Sequence, residues 1–424
     1  MSTLEAQLRA SVLAAEWQKP DPFWERFGLP QNPFPPARAR TVISDLLHDQ
    51  QHATARLAGL AGELLQPQPQ RRALAVVGRT GVGKTHFLRH CLWAFERACA
   101  QAGRSFALVY VQTGVIKAFD LVVAVLDQAD RVCAARGETD LVTAVVGQLA
   151  RAPATVRDPL RQAGVEVDDL RHALERLVEA ANPEGPRPAR ASYDELRALF
   201  ARWIRGQTLT QSERHRLGVW QRIATASYGI RVLRDLLGLA RSVGVLEGVL
   251  LCLDELETVF ASGRRSTQYL PFLHDLGYFF DEAVRGSTGF ALLVVSGCTD
   301  EGARKLQDVN SPLFERLGFK QEARVVLREI LGVVDARDFA YAYVDYYHGL
   351  WKQRRPTQTP PEDPRTLLSE QEIEQCYWTA ARMHPNRLHL SPAAAARDGG
   401  HPVTPASLLE QLHRLAEQKR SAQT

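Results

Sequence analysis

Gly78-Arg79-Thr80-Gly81-Val82-Gly83-Lys84-Thr85-His86 is the stretch on which the reading of this chain turns. It satisfies every fixed position of G-x-x-x-x-G-K-[ST]. Ala73-Leu74-Ala75-Val76-Val77 before it reads as a short buried strand, and Thr85-His86-Phe87-Leu88-Arg89 after it opens a helix. Glycines let such a turn curl until successive N–H groups converge on an anion, and the helix N-terminus adds partial positive charge. Residues Gly78 to His86 are therefore the expected triphosphate cradle. Lys84 would set an ammonium on the β/γ oxygens, and the Thr85 hydroxyl would take one position on Mg²⁺.

Four further apolar runs resemble the strand before the loop: 106–112, 249–253, 290–296 and 323–327. Each is continuous rather than alternating, the pattern of a parallel sheet covered by helices on both faces. The third run ends in Leu253-Asp254-Glu255-Leu256-Glu257. Open α/β sheets bind ligands at the carboxyl ends of their strands. There Asp254 would orient Mg²⁺ through its water shell and Glu255 would polarise the attacking water, with Glu257 the less favoured base. The fourth run ends in Val295-Ser296-Gly297-Cys298-Thr299, where Ser296, or in reserve Thr299, would hydrogen-bond the water or the γ-phosphate. Before the last run, Arg316 in Ser311-Pro312-Leu313-Phe314-Glu315-Arg316 is a candidate to stabilise phosphoryl charge in a neighbouring subunit. Glu315 leaves open an ordinary paired helix surface. Arg387, in His384-Pro385-Asn386-Arg387, would reach the phosphates from the helical tail.

About 135 residues without a strand signal separate the second run from the third, and capping boxes at Ser192/Glu195 and Thr210/Glu213 mark helices within them. Residues 115–247 are thus expected to be a helical insertion, divided by the loop 182–188. Ser2-x-x-Glu5 opens a first helix. Prolines 20–36 exclude a helix and leave an extended strap, and a helix over 41–65 leads to the first strand. After 334 the pattern is helical, with caps at Ser369/Glu372 and Thr404-Pro405. The expected division is 1–40 as strap, 41–334 as nucleotide-binding domain and 335–424 as helical lid.

With 424 residues, 45% hydrophobic and 24% charged, the chain has the bulk character of a globular protein, and a net charge of +4 decides nothing about nucleic acid. Arginines crowd 151–241 and read as solvated. Six scattered cysteines suit a reducing compartment. No run reaches the length of a membrane span, and no export signal opens the chain, so a cytoplasmic protein is expected.

The order of phosphate loop, Asp-Glu strand, polar strand end, pre-strand arginine and helical tail resembles an AAA+ ATPase over about residues 70–330. Phe27-Gly28-Leu29 with Asn32-Pro33-Phe34 resembles the leading segment of secretion- and transposition-associated AAA+ ATPases. Ala201-Arg202-Trp203-Ile204-Arg205-Gly206, through Leu217-Gly218-Val219 to the acidic strand, is similar to ATP-binding proteins of bacteriophage exclusion (BREX) systems, relatives of origin-recognition and Cdc6-type ATPases. The resemblance implies ATP and Mg²⁺ as ligands, and hydrolysis by a homo-oligomer acting on DNA or on protein partners of a defence or transposition system, with no membrane. A nucleotide-dependent scaffold and a P-loop kinase acting on a small substrate stay open beside it.

Overall fold

The computed structural model describes residues 21–36, 46–66, 68, 70–114, 117–151, 157–182, 191–260, 266–283, 289–320, 323–383 and 402–423. From the amino end come α1 (Pro22–Arg26), α2 (Gln51–Leu64), β1 (Arg71–Val77), α3 (Lys84–Ala102) and β2 (Phe106–Gln112). Then follow α4 (Ala118–Ala134), α5 (Leu141–Arg151), α6 (Arg157–Gln162), α7 (Asp168–Ala181), α8 (Tyr193–Ile204), α9 (Gln211–Leu217) and α10 (Ala226–Ser242). No strand interrupts them among the described residues before β3 (Gly248–Asp254). Next come α11 (Ser266–Glu282), β4 (Ala291–Cys298), α12 (Asp300–Val309), α13 (Ser311–Arg316) and β5 (Arg324–Val326). The tail holds α14 (Val333–Arg354), α15 (Glu370–Arg382) and α16 (Pro405–Gln423).

The five strands form one parallel sheet in the order β2-β3-β4-β1-β5, an α/β arrangement. Every strand boundary lies within two residues of the expected one. The reason is visible in the burial: all residues of β3 and β4 are inaccessible, so their sequences had to be continuously apolar. Register sets the strand ends together. Val77 lies opposite Cys298, Gln112 opposite Asp254, and Leu253 opposite Ser296. The carboxyl ends of β1, β3 and β4 thus share one edge of the sheet.

The chain groups into two compact units. One comprises Thr54–Val77 and Cys91–Val325. Its core joins one face of the sheet to helices α4 to α10, with Phe200, Trp203, Leu233 and Leu236 fully enclosed. The capping residues do what their spacing requires: Ser192 accepts from the Glu195 N–H, and Thr210 with Glu213 forms the complete reciprocal box. Several arginines of this region are paired with carboxylates rather than simply solvated. Arg197 meets Asp140, Arg202 meets Glu213, Arg205 meets Asp127 and Asp130, and Arg216 meets Glu195.

The other unit comprises Ser2–Ala53, Gly78–His90 and Val326–Thr424. Its core gathers Phe23, Trp24, Phe27, Leu29 and Phe34 of the strap with apolar residues of α14, α15 and α16. Asn32 ties the strap to α16, donating to the carboxylate of Glu417 at 2.9 Å. Two expectations are corrected here. The strap contains a helix, α1, because Asp21 caps it and Pro22 occupies the first helical position, where the missing N–H costs nothing. The helix expected over 41–65 is α2, and residues 46–50 precede it as non-helical chain. Asp49 has a left-handed φ of +48° that no helix continues through, and its carboxylate pairs with Arg328. The expected first helix around Ser2 and Glu5, residues 41–45, and residues 183–188 of the expected loop lie outside the described residues.

Candidate functional site

β1 hands the chain to the loop at Gly78. Gly81 and Gly83 take φ of +85° and +103°, values that side-chain-bearing residues rarely adopt. Val82 between them is buried, its Cγ1 lying 2.7 Å from where a Cβ on Gly78 would stand. Lys84 begins α3, and the Phe87 N–H returns to the Gly83 carbonyl at 2.9 Å. The backbone amides of the turn and of the first helical residues are therefore arranged as an anion nest at a helix N-terminus, which fits a phosphate group. Lys84 is 8% exposed, and its Nζ donates to the carbonyls of Gly78 (2.8 Å) and Arg79 (3.2 Å), so the ammonium lies over the concavity of the loop.

The remaining loop side chains are placed as follows. Thr80 is exposed and Thr85 half-buried. Arg79 reaches Glu329 at 3.7 Å. The His86 Nε2 sits 2.9 Å from the Leu46 carbonyl, turned toward its own chain. One contact was not foreseen. The Ala406 N–H, in the first turn of α16, donates to the Gly81 carbonyl at 3.1 Å, and Thr404 Oγ1 lies 3.1 Å from the position a Gly81 Cβ would take. Only the Thr404-Pro405 start signal hinted at a helix there, and nothing local names its neighbour.

The candidate acids are set on and just after β3. Asp254 is 1% exposed. Its Oδ2 accepts the Tyr110 hydroxyl at 2.6 Å and its Oδ1 accepts the Glu255 N–H at 2.9 Å. Glu255 is half-buried, and its carboxylate makes no hydrogen bond or ion pair among the described residues. Glu257 differs: its Oε2 accepts the Thr299 N–H at 3.2 Å, while Thr299 Oγ1 caps α12 by accepting from Gly302. Of the acids at the strand end, Glu255 alone has a carboxylate without a partner among the described residues.

Ser296 pairs in register with Leu253 and Ala75, so it stands on the face of the sheet opposite Asp254. Its Oγ is fully buried and has no hydrogen-bond partner among the described residues. A buried hydroxyl left so costs about 1–3 kcal/mol. Arg316 lies at the other edge. Its Nε pairs at 2.9 Å with Asp281, at the C-terminal end of α11, and Asp281 also meets Arg71, the first residue of β1. A seven-residue strand spans roughly 20 Å, so Arg316 is held about that far from the Asp254 end of its own sheet. Arg387 lies outside the described residues. Among the described residues no group of three or more His, Cys, Asp or Glu gathers as a metal site. Mg²⁺ needs few protein ligands, since it keeps most of its waters. The six cysteines are buried and form no disulfide, and burial pushes the Cys252 and Cys91 thiols upward. No helix of the described residues is long and apolar enough to cross a membrane.

The comparisons with known proteins can be set on this geometry. Residues 186–334 match the family described as BREX system ATP-binding protein BrxC/D. Over these residues the chain resembles BrxC/D. The BrxC/D-like stretch takes in α8 to α10, β3, β4 and β5, and so includes Asp254, Glu255, Ser296 and Arg316, while the phosphate loop precedes it. Among solved structures, the chain is similar to the Aeropyrum pernix ORC2 protein in ADPNP–ADP complexes, with 12% identity over 92% of this chain and 72% of that one, at a TM-score of 0.41. The ADP form of the same ORC2 protein matches with 10% identity over 89% and 71%, at 0.40. The Aeropyrum pernix ORC1 protein in complex with DNA matches with 14% identity over 90% and 68%, at 0.33. No curated protein matches the chain.

Proposed function

We propose that this protein is an ATPase of a BREX-type phage-exclusion system, in which the loop 78–86 holds ATP and Glu255 prepares water to attack it. The observation that carries the reading is the state of the three acids at the end of β3: Asp254 is locked by two donors, Glu257 is engaged with α12, and the Glu255 carboxylate is left unengaged. A general base needs that freedom, whereas a carboxylate that only orients a cation benefits from being fixed. Lys84 and the amides of the turn neutralise phosphate charge. Thr85 and Asp254 are the side chains suited to hold Mg²⁺, which when bound would neutralise charge between the β- and γ-phosphates.

Arg316 in this account works on another copy of the chain, since its pairing with Asp281 holds it at the far edge of its own sheet. Homo-oligomers formed with ATP follow, assembled on DNA or on a partner complex inside a reducing cytoplasm. Residues 335–424, with Arg387, serve as a lid, and the buried Ser296 hydroxyl is the group at the end of β4 that would report on the γ-phosphate.

Phosphate release with no added acceptor separates an ATPase from a kinase, and a measurable rate separates it from a scaffold. Lys84→Ala should lose nucleotide binding. Glu255→Gln should keep binding and retain unhydrolysed ATP, and a wild-type rate in Glu255→Gln would overturn the assignment of the base. Arg316→Ala should lower the rate only where subunits associate, and equal loss in a monomeric sample would overturn its role in trans.

A further inference from the structure

Among the described residues only Asp49 and Glu255 combine a side chain with a left-handed backbone, and Glu255 sits at φ +55° at the very end of a buried strand. Glutamate does not choose that region, because its Cβ crowds the neighbouring carbonyl. Such a conformation persists only where the surroundings over-determine it. Here they do. The Glu255 carbonyl accepts from three donors: Thr258 Oγ1 at 2.7 Å, the Thr258 N–H at 2.8 Å and Thr113 Oγ1 at 2.9 Å. Thr113 also holds the preceding carbonyl, that of Asp254, through both its N–H and its Oγ1 at 3.1 Å.

Thr113 is 1% exposed and follows directly on β2, whose last residue, Gln112, pairs with Asp254. The next residue explains how it comes so close. A Cβ on Gly114 would stand 2.7 Å from Thr258 Oγ1, so only glycine lets the end of β2 approach the turn after Glu255. Two threonines on different segments thus clamp one carbonyl, and the strained residue between them carries the unengaged carboxylate.

We infer that Thr113, with Thr258, is a positioning residue for the reaction: it holds the Glu255 backbone in the left-handed region and so aims the carboxylate at the water. This rests on the ATPase reading proposed above, and deepens it by naming what fixes the base. Neither threonine touches the reacting atoms. Both act through Glu255.

The test uses the full chain with ATP and Mg²⁺, measuring phosphate release alongside binding of a fluorescent ATP analogue. Thr113→Val keeps the shape and removes the hydroxyl. It should lower kcat roughly tenfold to a hundredfold, the scale at which small misplacements of a catalytic group act, and leave the analogue Kd within about twofold. Thr113→Ser, which keeps the hydroxyl, should recover most of the rate. In the Glu255→Gln background, Thr113→Val should change the residual rate by less than about twofold, because residues acting as one unit are not additive. If Thr113→Val fails to fold, judged by its melting curve, Thr258→Val should give the same split between kcat and Kd. Unchanged kcat in the folded variant, or the same proportional loss with and without the Glu255 carboxylate, would overturn the inference. A wild-type protein that binds the analogue and releases no phosphate would instead overturn the ATPase reading, and the inference with it.

Discussion

Replacing Arg234 by methionine should destabilise the sheet-bearing unit in a way that depends on pH. Arg234 is 5% exposed on α10, and its guanidinium reaches Asp235, Glu282 and Glu166. The Asp235 side chain is 1% exposed. Its Oδ1 accepts from Arg234 Nε at 2.8 Å and from a second guanidinium nitrogen at 2.6 Å, while Oδ2 accepts the N–H groups of Glu166 and Val167, both at 2.7 Å. Arg234→Met preserves most of the apolar volume and removes both charged donors. Taking one partner from a buried pair costs about 3–5 kcal/mol, a large part of the roughly 5–15 kcal/mol that holds a domain together.

Burial raises the Asp235 carboxyl above its ordinary value of 3.8. From 3.8 upward, the folded chain therefore keeps a proton that the unfolded chain has released, and stability falls as pH climbs through that window. Without the guanidinium the window extends further upward. The deficit of Arg234→Met should accordingly be larger near pH 7.5 than near pH 5. Urea unfolding followed through the assigned ¹⁹F resonance of fluorotryptophan at the enclosed Trp203 reads this unit. With a slope of about 2–3 kcal/mol per molar urea, the midpoint should drop by about 1–2 M near pH 7.5. A drop below about 0.3 M there, or a greater drop near pH 5, would refute the reasoning.

Two further outcomes follow from the same geometry. Tyr110→Phe deletes the hydroxyl on Asp254 Oδ2 and should raise the Mg²⁺ concentration needed for half-maximal turnover by about tenfold, as losses of an orienting partner do, with little change in ATP affinity. An unchanged Mg²⁺ requirement would show that this hydrogen bond does not support the metal. Burial, and then the neighbouring His86, lower the pKa of His90 from 6.5 to about 4. Between those values the unfolded chain gains a proton that the folded chain refuses, so stability should fall as pH drops from 6.5 toward 4. An NMR titration should place the His90 midpoint near 4, and a midpoint near 6.5 would contradict its enclosure.

The sheet was legible because burial on both faces forces unbroken apolar runs such as Val249-Leu250-Leu251-Cys252-Leu253, and the phosphate loop because its glycines and lysine have fixed spacing. Local caps were legible for the same reason: Thr210 and Glu213 act within one turn. What escaped depends on residues far apart in the chain. The Tyr110 hydroxyl meets an acid 144 residues away, and Thr113 bonds carbonyls 141 and 142 residues on. The Thr113-Gly114 pair directly after β2 carries no local sign of what it approaches. Asp169 stands in the first turn of α7. It is 5% exposed and accepts from the N–H groups of Trp220 and Gln221 and from the Tyr228 hydroxyl. The clustered arginines read as solvated for the same reason, since their carboxylate partners come from other helices.

Quenched-flow phosphate release in a single turnover, with the protein in excess over radiolabelled ATP, asks most directly whether Glu255 prepares the attacking water. The wild-type protein should convert bound ATP to ADP and phosphate, while Glu255→Gln binds the same amount of ATP and holds it intact. Equal conversion by both proteins would contradict the account.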